Sequence, residues 1–382
     1  MKKMGDFRNA KRVGVMGGAF DPVHHGHLNV AECVRHEFQL DFVLFIPTGQ
    51  PSHKVTQTFN EHRYLMTVLA CNNNPHFHVS RMELERPGFS YTIDTIRLLK
   101  EQTTAELYFI VGADEMLKLD EWKDAKELVN LCKWVAVRRP GHAEIRSHLE
   151  IPGLDISGTA IRERIEKNQP IRYLLPDTVI KYVNDLKLYQ NCPNDCDFEG
   201  IQNSVAKRLS AEKFKHTLGV VETAVSLASI HNIDLCKAYI SALLHDYAKE
   251  FTHEEKLALC KQFEMPLNSF YERNVGILHG KLSAEFAKRE FGITDIEILR
   301  AISNHTTGRI GMTDLEQLIL ISDAIEPYRE HYDILEELRT LSVANLRQAN
   351  ILFMRSQIKM LKEAGREVDS TGIDALKWLE SS

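Results

Sequence analysis

Residues 13–28 read V-G-V-M-G-G-A-F-D-P-V-H-H-G-H-L. An apolar run suited to a buried strand meets Gly17-Gly18, then a turn, then a helix starting near Gly26. Glycines at the end of a first strand let the backbone approach a phosphate closely. The helix N-terminus beyond them offers free N–H groups and the positive end of a dipole. His24 and His27 are three residues apart around Gly26, a spacing that can aim both imidazoles at one point. No Ser or Cys nucleophile stands beside them. The chemistry they suit is positioning and charge stabilisation at a phosphorus centre, not a covalent intermediate.

On either side of this string, residues 12–190 alternate short apolar stretches (12–16, 42–47, 77–80, 107–111, 134–138 and 154–156) with amphipathic ones (28–38, 62–71, 92–102) and end in a helix over 178–188. Strands alternating with helices predict βαβ units, hence a Rossmann-like α/β domain with a parallel sheet covered on both faces. Residues 191–199 are polar, with Pro, Asn and Asp, and read as a linker. Cys192 and Cys196 have no second pair at ligand spacing, so they read as linker and not as a zinc pair. From residue 200 to 382 strand signals nearly vanish. Apolar residues recur at three- and four-residue steps, as in Val205, Leu209, Phe214, Leu218, Val221 and Val225. Further helical patterns run over 235–244, 283–291, 296–302, 315–325 and 334–362. This predicts an all-α domain of about five to seven helices.

A chain of 382 residues suits two domains, and 43% hydrophobic with 26% charged residues argues against a disordered or fibrous chain. The net charge is −6 and neither half is basic in bulk. A nucleic-acid module is thereby disfavoured, and a phosphate ligand must be met by a local cluster. No apolar run approaches a membrane span, and the basic N-terminus lacks the apolar stretch of a signal peptide. Seven cysteines, mostly within apolar patterns, read as reduced thiols of a cytoplasmic protein. Neither nucleic acid nor membrane is an expected partner, and the oligomeric state stays open.

The opening string resembles the G-G-x-F-D-P-x-H-x-G-H signature of the nucleotidylyltransferase superfamily. Residues 156–162, I-S-G-T-A-I-R, resemble that superfamily's I-S-x-T-x-I-R element, which closes over a nucleoside triphosphate. Other stretches follow the later strands: I-P-T-G-Q-P-S-H-K (46–54), E-L-E-R-P-G-F-S-Y-T-I-D-T (83–95), I-V-G-A-D-E-M-L-K-L-D-E-W (110–122) and Arg139-Pro140-Gly141. Together they are similar to the nicotinate mononucleotide adenylyltransferases. The resemblance covers about residues 12–190. It implies that Gly17, Gly18, Phe20, His24, His27, Ser157, Thr159 and Arg162 hold ATP, accompanied by Mg²⁺, with His24, His27 and Arg162 catalytic. It further implies that Gly112 and Asp114 lie by the adenosine, that Thr92 and Trp122 lie by the pyridine ring, and that Lys54 and Arg139 act near phosphates of the nicotinate mononucleotide. Ala19 departs from the pattern, since the family usually carries Ser or Thr there, so part of the phosphate grip falls to backbone amides. Another acceptor such as phosphopantetheine stays open, although the regions around Tyr91-Thr92 and Asp114–Trp122 argue against it.

In the helical half, His216, His245-Asp246, His279, His305 and Asp323 are separated by 29, 33, 26 and 18 residues, each about one helix plus a loop. Each can then sit on a different helix or helix end facing one bundle centre. His245 and Asp246, read as neighbours on one helix, follow the apolar 240–244, where a bare carboxylate is costly without a cation. Four His and two Asp suit two divalent ions bridged by a carboxylate. Nitrogen and oxygen donors without thiolate favour Fe, Mn, Co or Mg over a structural Zn. The pattern H…HD…H…H…D resembles the HD-domain phosphohydrolases. The details around His305-Thr306-Thr307-Gly308 and Asp323 resemble the bacterial HD hydrolases that split diadenosine tetraphosphate into two ADP. The resemblance, over about 198–382, implies a dinuclear centre with iron as first choice. It also implies Asp246 as a catalytic group and Lys249, one turn beyond, in contact with substrate phosphate. Another nucleotide substrate, or a silent ligand-sensing module, stays open for this half.

Overall fold

In a computed structural model describing residues 9–51, 56–138, 149–150, 156–190 and 196–381, the run Arg12–Gly18 is an inner strand, β1, of a six-stranded sheet. The sheet order is β4-β2-β1-β6-β7-β8 and every pairing is parallel. Its members are β1, β2 (Phe42–Pro47), β4 (Phe77–Val79), β6 (Glu106–Gly112), β7 (Lys133–Arg138) and β8 (Leu149–Glu150); β3 (Gln50–Pro51) pairs with β5 (Phe89–Ser90) apart from it. The helices of this part are α1 (His25–Glu37), α2 (Asn60–Cys71), α3 (Thr92–Gln102), α4 (Ala113–Met116), α5 (Ala125–Leu131), α6 (Gly158–Glu166) and α7 (Asp177–Asp185).

All six residues of β2 are buried, as are the middles of β1 and β6. Strands covered on both faces read as continuous apolar runs, which is why they were visible without alternation. Val13, Val15, Leu44, Ile46, Ile93, Ile96, Leu107 and Phe109 share one core. The chain moves from β1 to β2 on one side and later to β6 on the other. A topological switch point therefore opens between β1 and β6, at the edge where Gly18 and Gly112 end their strands. Among the described residues the last strand is β8; the strand expected at 154–156 falls mostly outside them, with residues 154 and 155 not described and Ile156 coil. Lys54, Arg139 and Cys192 also lie outside the described residues.

The chain divides between Asn194 and Asp195 into two compact units. The second is helical: α8 (Phe198–Arg208), α9 (Ala211–Ile230), α10 (Leu235–Leu244), α11 (His253–Gln262), α12 (Ser269–Arg273), α13 (Leu278–Glu290), α14 (Ile296–Asn304), α15 (Asp314–Ile325), α16 (Leu335–Ala344), α17 (Leu346–Glu363) and α18 (Ser370–Ser381). That is more than the five to seven expected, and two of the additional helices have identifiable causes. The pattern over 334–362 is broken at Asn345, whose extended backbone ends α16 and whose side chain accepts from Gln348 N to cap α17. And α11 buries only Lys256 and Cys260, too thin an apolar stripe to register as a helix pattern. Among the described residues no helix is long and apolar enough to cross a membrane.

Candidate active sites

The turn after β1 is shaped by tertiary contacts. Phe20 takes a positive φ of 49°, and the chain enters α1 through a cis Asp21-Pro22 bond. His24 caps α1, and its backbone N–H donates to His27 Nδ1 at 3.2 Å. The two imidazoles stack with centroids 3.7 Å apart. Gly26 is required between them, because a Cβ there would lie 2.9 Å from His24 Nδ1. The Phe20 ring is buried against His27 and Phe45, so what it presents to a ligand is backbone. Ser157 caps α6 by accepting from Ala160 N, and Arg162 Nη2 donates to Thr159 Oγ1 at 3.2 Å. Arg162 Nη1 donates to Asp21 O at 2.5 Å, which brings the 157–162 element onto the turn after β1. Gly158 permits that approach: a Cβ would sit 2.9 Å from the same carbonyl.

Gly112 ends β6 on the other side of the switch point, and exposed Asp114 follows in α4. Thr92 opens α3. Trp122 is half-buried and meets Phe109 and Trp134 edge-on, at 6.2 and 5.8 Å between centroids.

Three residues of this network were not singled out from the sequence. Arg63, on α2 and fully buried, donates to Ala19 O and Thr48 O at 2.7 Å, to Gly49 O at 3.0 Å and to Thr58 O at 3.3 Å. It ties the turn after β1 to the segment after β2. Asp21 accepts from Gln57 N and from the Tyr189 hydroxyl at 2.7 Å. Burial, with Asp21 adjacent, pushes the Tyr189 phenol well above its usual range and keeps it a donor. An Arg inside an amphipathic helix and a Tyr in a post-helical turn carry no local signature of such roles.

In the helical unit the six expected ligands converge. His216 is on α9, His279 on α13 and Asp323 on α15, while His245 and His305 cap the ends of α10 and α14. The reading of His245 and Asp246 as two residues of one helix is corrected: α10 ends at Leu244 and Asp246 lies in the following turn. The Ala248 N–H, which would continue the ladder, donates instead to Ser283 Oγ at 2.9 Å. His216 Nε2 is 3.1 Å from Asp323 Oδ1 and 3.9 Å from Asp246 Oδ2; His245 Nε2 is 4.0 and 3.6 Å from the same two atoms. The other oxygen of Asp246 faces His279 Nε2 at 2.9 Å and His305 Nε2 at 3.5 Å. Lys249 Nζ is 3.3 Å from Asp246 Oδ1 and 3.1 Å from His279 Nε2.

The rings are held from behind. Nδ1 of His245, His279 and His305 donates to the carbonyls of Ala242, Gly276 and Ile302 at 2.7–2.8 Å, so each Nε2 lone pair points to the centre. His245 Nε2 is buried with no hydrogen-bond partner, as a metal-ligating nitrogen would be. Burial lowers His245 to about 4 and keeps it neutral. Burial works against the charge of Asp246, but the surrounding imidazoles and Lys249 outweigh it and hold the carboxyl well below its usual range. Burial also opposes protonation of His216, yet bonds to Asp323 and Glu326 raise it to about 9. Two groups here were missed in sequence. Buried Glu326 faces His216 Nδ1 at 3.2 Å, and Arg329 Nη2 donates to Asp323 Oδ1 at 2.6 Å. His216-His245-Asp246, His245-His305-Asp323 and Asp246-His279-His305 each bring three donor atoms within 4.8 Å of one another, a cluster compatible with metal binding.

Fold and clusters define the class: a parallel-sheet α/β nucleotidyltransferase domain joined to a helical HD domain. The Cytidylyltransferase-like family matches residues 15–164 and the HD domain family residues 214–344. A probable nicotinate-nucleotide adenylyltransferase of Thermoanaerobacter sp. (strain X514) is 45% identical over 199 residues, 94% of its own length and 47% of this chain. Another, from Clavibacter michiganensis subsp. michiganensis (strain NCPPB 382), is 48% identical over 190 residues, with the same two shares. Through its nucleotidyltransferase domain the chain belongs to the nicotinate-nucleotide adenylyltransferase family. A crystal structure from Clostridium acetobutylicum, described as a predicted HD superfamily hydrolase involved in NAD metabolism, is 36% identical with a TM-score of 0.47, covering 48% of this chain and 97% of that one.

Proposed function

We propose that the chain is a bifunctional cytoplasmic enzyme. Its α/β unit transfers the adenylyl group of ATP to nicotinate mononucleotide, giving nicotinate adenine dinucleotide for NAD synthesis. The nicotinate mononucleotide 5′-phosphate attacks the α-phosphorus in line and pyrophosphate leaves, with Mg²⁺ accompanying ATP. The observation that carries this reading is the stacked His24–His27 pair at the head of α1, directly after a strand that ends at the sheet's switch point. In this proposal Gly17, Gly18, the Phe20 backbone, His24, His27, Ser157, Thr159 and Arg162 hold the triphosphate, and Gly112 and Asp114 meet the adenosine. Thr92 and Trp122 take the pyridine ring. Lys54 and Arg139 remain assigned to phosphate on sequence grounds alone.

For the helical unit the proposal is symmetrical hydrolysis of diadenosine tetraphosphate to two ADP. His216, His245, Asp246 and Asp323 would hold one divalent ion, and His279, His305 and the far oxygen of Asp246 a second, with iron first and manganese or cobalt as alternatives. Such a pair supplies neutralisation of phosphate charge and an acidified water. Lys249 and Arg329, both on groups of the cluster, offer cations to the remaining phosphate oxygens. One experiment tests both halves. The full chain is incubated with ATP and either nicotinate mononucleotide or phosphopantetheine, and separately with diadenosine tetraphosphate and Fe²⁺, Mn²⁺, Co²⁺ or Mg²⁺, and products are identified by mass. Nicotinate adenine dinucleotide and two ADP are expected. Transfer only to phosphopantetheine, or ATP plus AMP as products, would overturn the respective half.

A further inference from the structure

We infer that Glu326 is a positioning residue that makes the two metal positions unequal, the tighter one lying on the His216 side. This rests on the metal-centre reading of the helical unit. Three of the four imidazoles donate their Nδ1 proton to neutral backbone carbonyls; only His216 turns its Nδ1 to a carboxylate, Glu326 Oε1 at 3.2 Å. Glu326 is 2% exposed, and its second oxygen accepts from Tyr328 N at 2.6 Å, so its orientation is fixed from both ends. The fold makes room for it. Gly219 lies one turn after His216 on α9, and a Cβ there would sit 2.5 Å from Glu326 Oε2 and 2.9 Å from Tyr328 Cδ2.

A carboxylate behind a ligating imidazole fixes the ring and strengthens its donor nitrogen. The charges around the two positions differ as well. The His216–His245 side has Asp246 Oδ2, Asp323 and Glu326, partly offset by Arg329 on Asp323. The His279–His305 side has Asp246 Oδ1 alone, with the Lys249 ammonium 3.1 Å from His279 Nε2. Two ions therefore bind in sequence, first beside His216 and Asp323.

Titration of the metal-free full chain with Mn²⁺, followed by calorimetry and by the spin-resonance signal of free Mn²⁺, tests this without any turnover. The wild type is expected to take up two ions with separated affinities. Glu326→Gln weakens the tighter one by about 10- to 100-fold and leaves the weaker one within twofold, whereas Glu326→Asp restores much of the loss. Equal affinities in the wild type, or equal weakening of both ions by Glu326→Gln, would overturn the inference while leaving the metal centre standing. Failure of the wild type to bind Mn²⁺ at all would remove the metal centre itself. If Glu326→Gln loses its cooperative thermal transition, Gly219→Ala, whose Cβ would meet Glu326 Oε2 at 2.5 Å, is titrated in its place, and equal weakening of both ions there, or of neither, would overturn the inference.

Discussion

The Nε2 atoms of His279 and His305 face each other at 3.1 Å, although each ring spends its proton behind, on the carbonyls of Gly276 and Ile302. Two nitrogen lone pairs at that separation repel unless a cation lies before them. The Lys249 ammonium, 3.1 Å from His279 Nε2, supplies one cation there, and Asp246 stands within reach of both rings. The arrangement is compatible with metal binding.

Under the proposed function, removing one member of this set should abolish hydrolysis by the helical unit while sparing the other half. Asp246→Asn keeps the shape but loses the charge that both ion positions share. The expected result is loss of bound metal and a fall of roughly a thousandfold or more in diadenosine tetraphosphate cleavage, since metal assistance is worth several kcal/mol. Adenylyl transfer should stay at the wild-type rate. Metal content by mass spectrometry and the two rates measured on one preparation check this; unchanged cleavage would contradict the assignment.

His24 and His27 should differ when truncated. The His24 side chain is buried and stacked on His27, so His24→Ala is expected to cost about 1 kcal/mol of stability in addition to rate. His27 is less buried, and His27→Ala should mainly lower kcat for adenylyl transfer, by roughly 10²- to 10³-fold. Denaturant unfolding and steady-state kinetics separate the two effects. Equal kinetics for His27→Ala and wild type would exclude it from the reacting centre.

Arg63 offers a prediction about stability. Its guanidinium satisfies four carbonyls, and Arg63→Met would leave several of them buried without a donor. A loss of about 3 kcal/mol is expected, along with a raised KM for ATP because the Ala19 backbone is released. Arg63→Lys should recover only part of this, since an ammonium cannot span the fork. A melting temperature equal to wild type for Arg63→Met would show that the clamp contributes nothing.

His62 should make the first unit sensitive to acid. The imidazole is buried, bonded to Tyr182 Oη at 2.8 Å, and burial lowers it from 6.5 to about 3. The unfolded chain binds a proton below about pH 6.5 that the folded chain refuses until near pH 3. The contribution is thus complete above the unfolded value and is lost as pH falls through that window, at about 1.4 kcal/mol per pH unit. In His62→Phe this slope should vanish from the acid limb of the stability curve, as measured by urea unfolding between pH 4 and 7. An unchanged slope would assign the acid sensitivity to other groups.

Local order in the residues was enough for the α/β alternation, the helical second half, the glycine turn with its two histidines, and the spacing of the His and Asp residues that converge in the second unit. These signals act over a few residues: strand burial leaves apolar runs, helices leave a 3.6-residue period, and a phosphate turn needs glycine in fixed places. The break at Asn345 and the end of α10 at Leu244 escaped notice, because a single extended residue and a distant Ser283 hydroxyl decide them. Folding in three dimensions alone set Gly18 and Gly112 on neighbouring strand ends, hung four carbonyls on Arg63, and put Glu326 behind His216 across 110 residues of chain. Contacts between side chains so far apart in sequence impose no periodicity on either segment. A buried Glu or Arg is ordinary in the residue order and becomes meaningful only when desolvation forces it to find its partner.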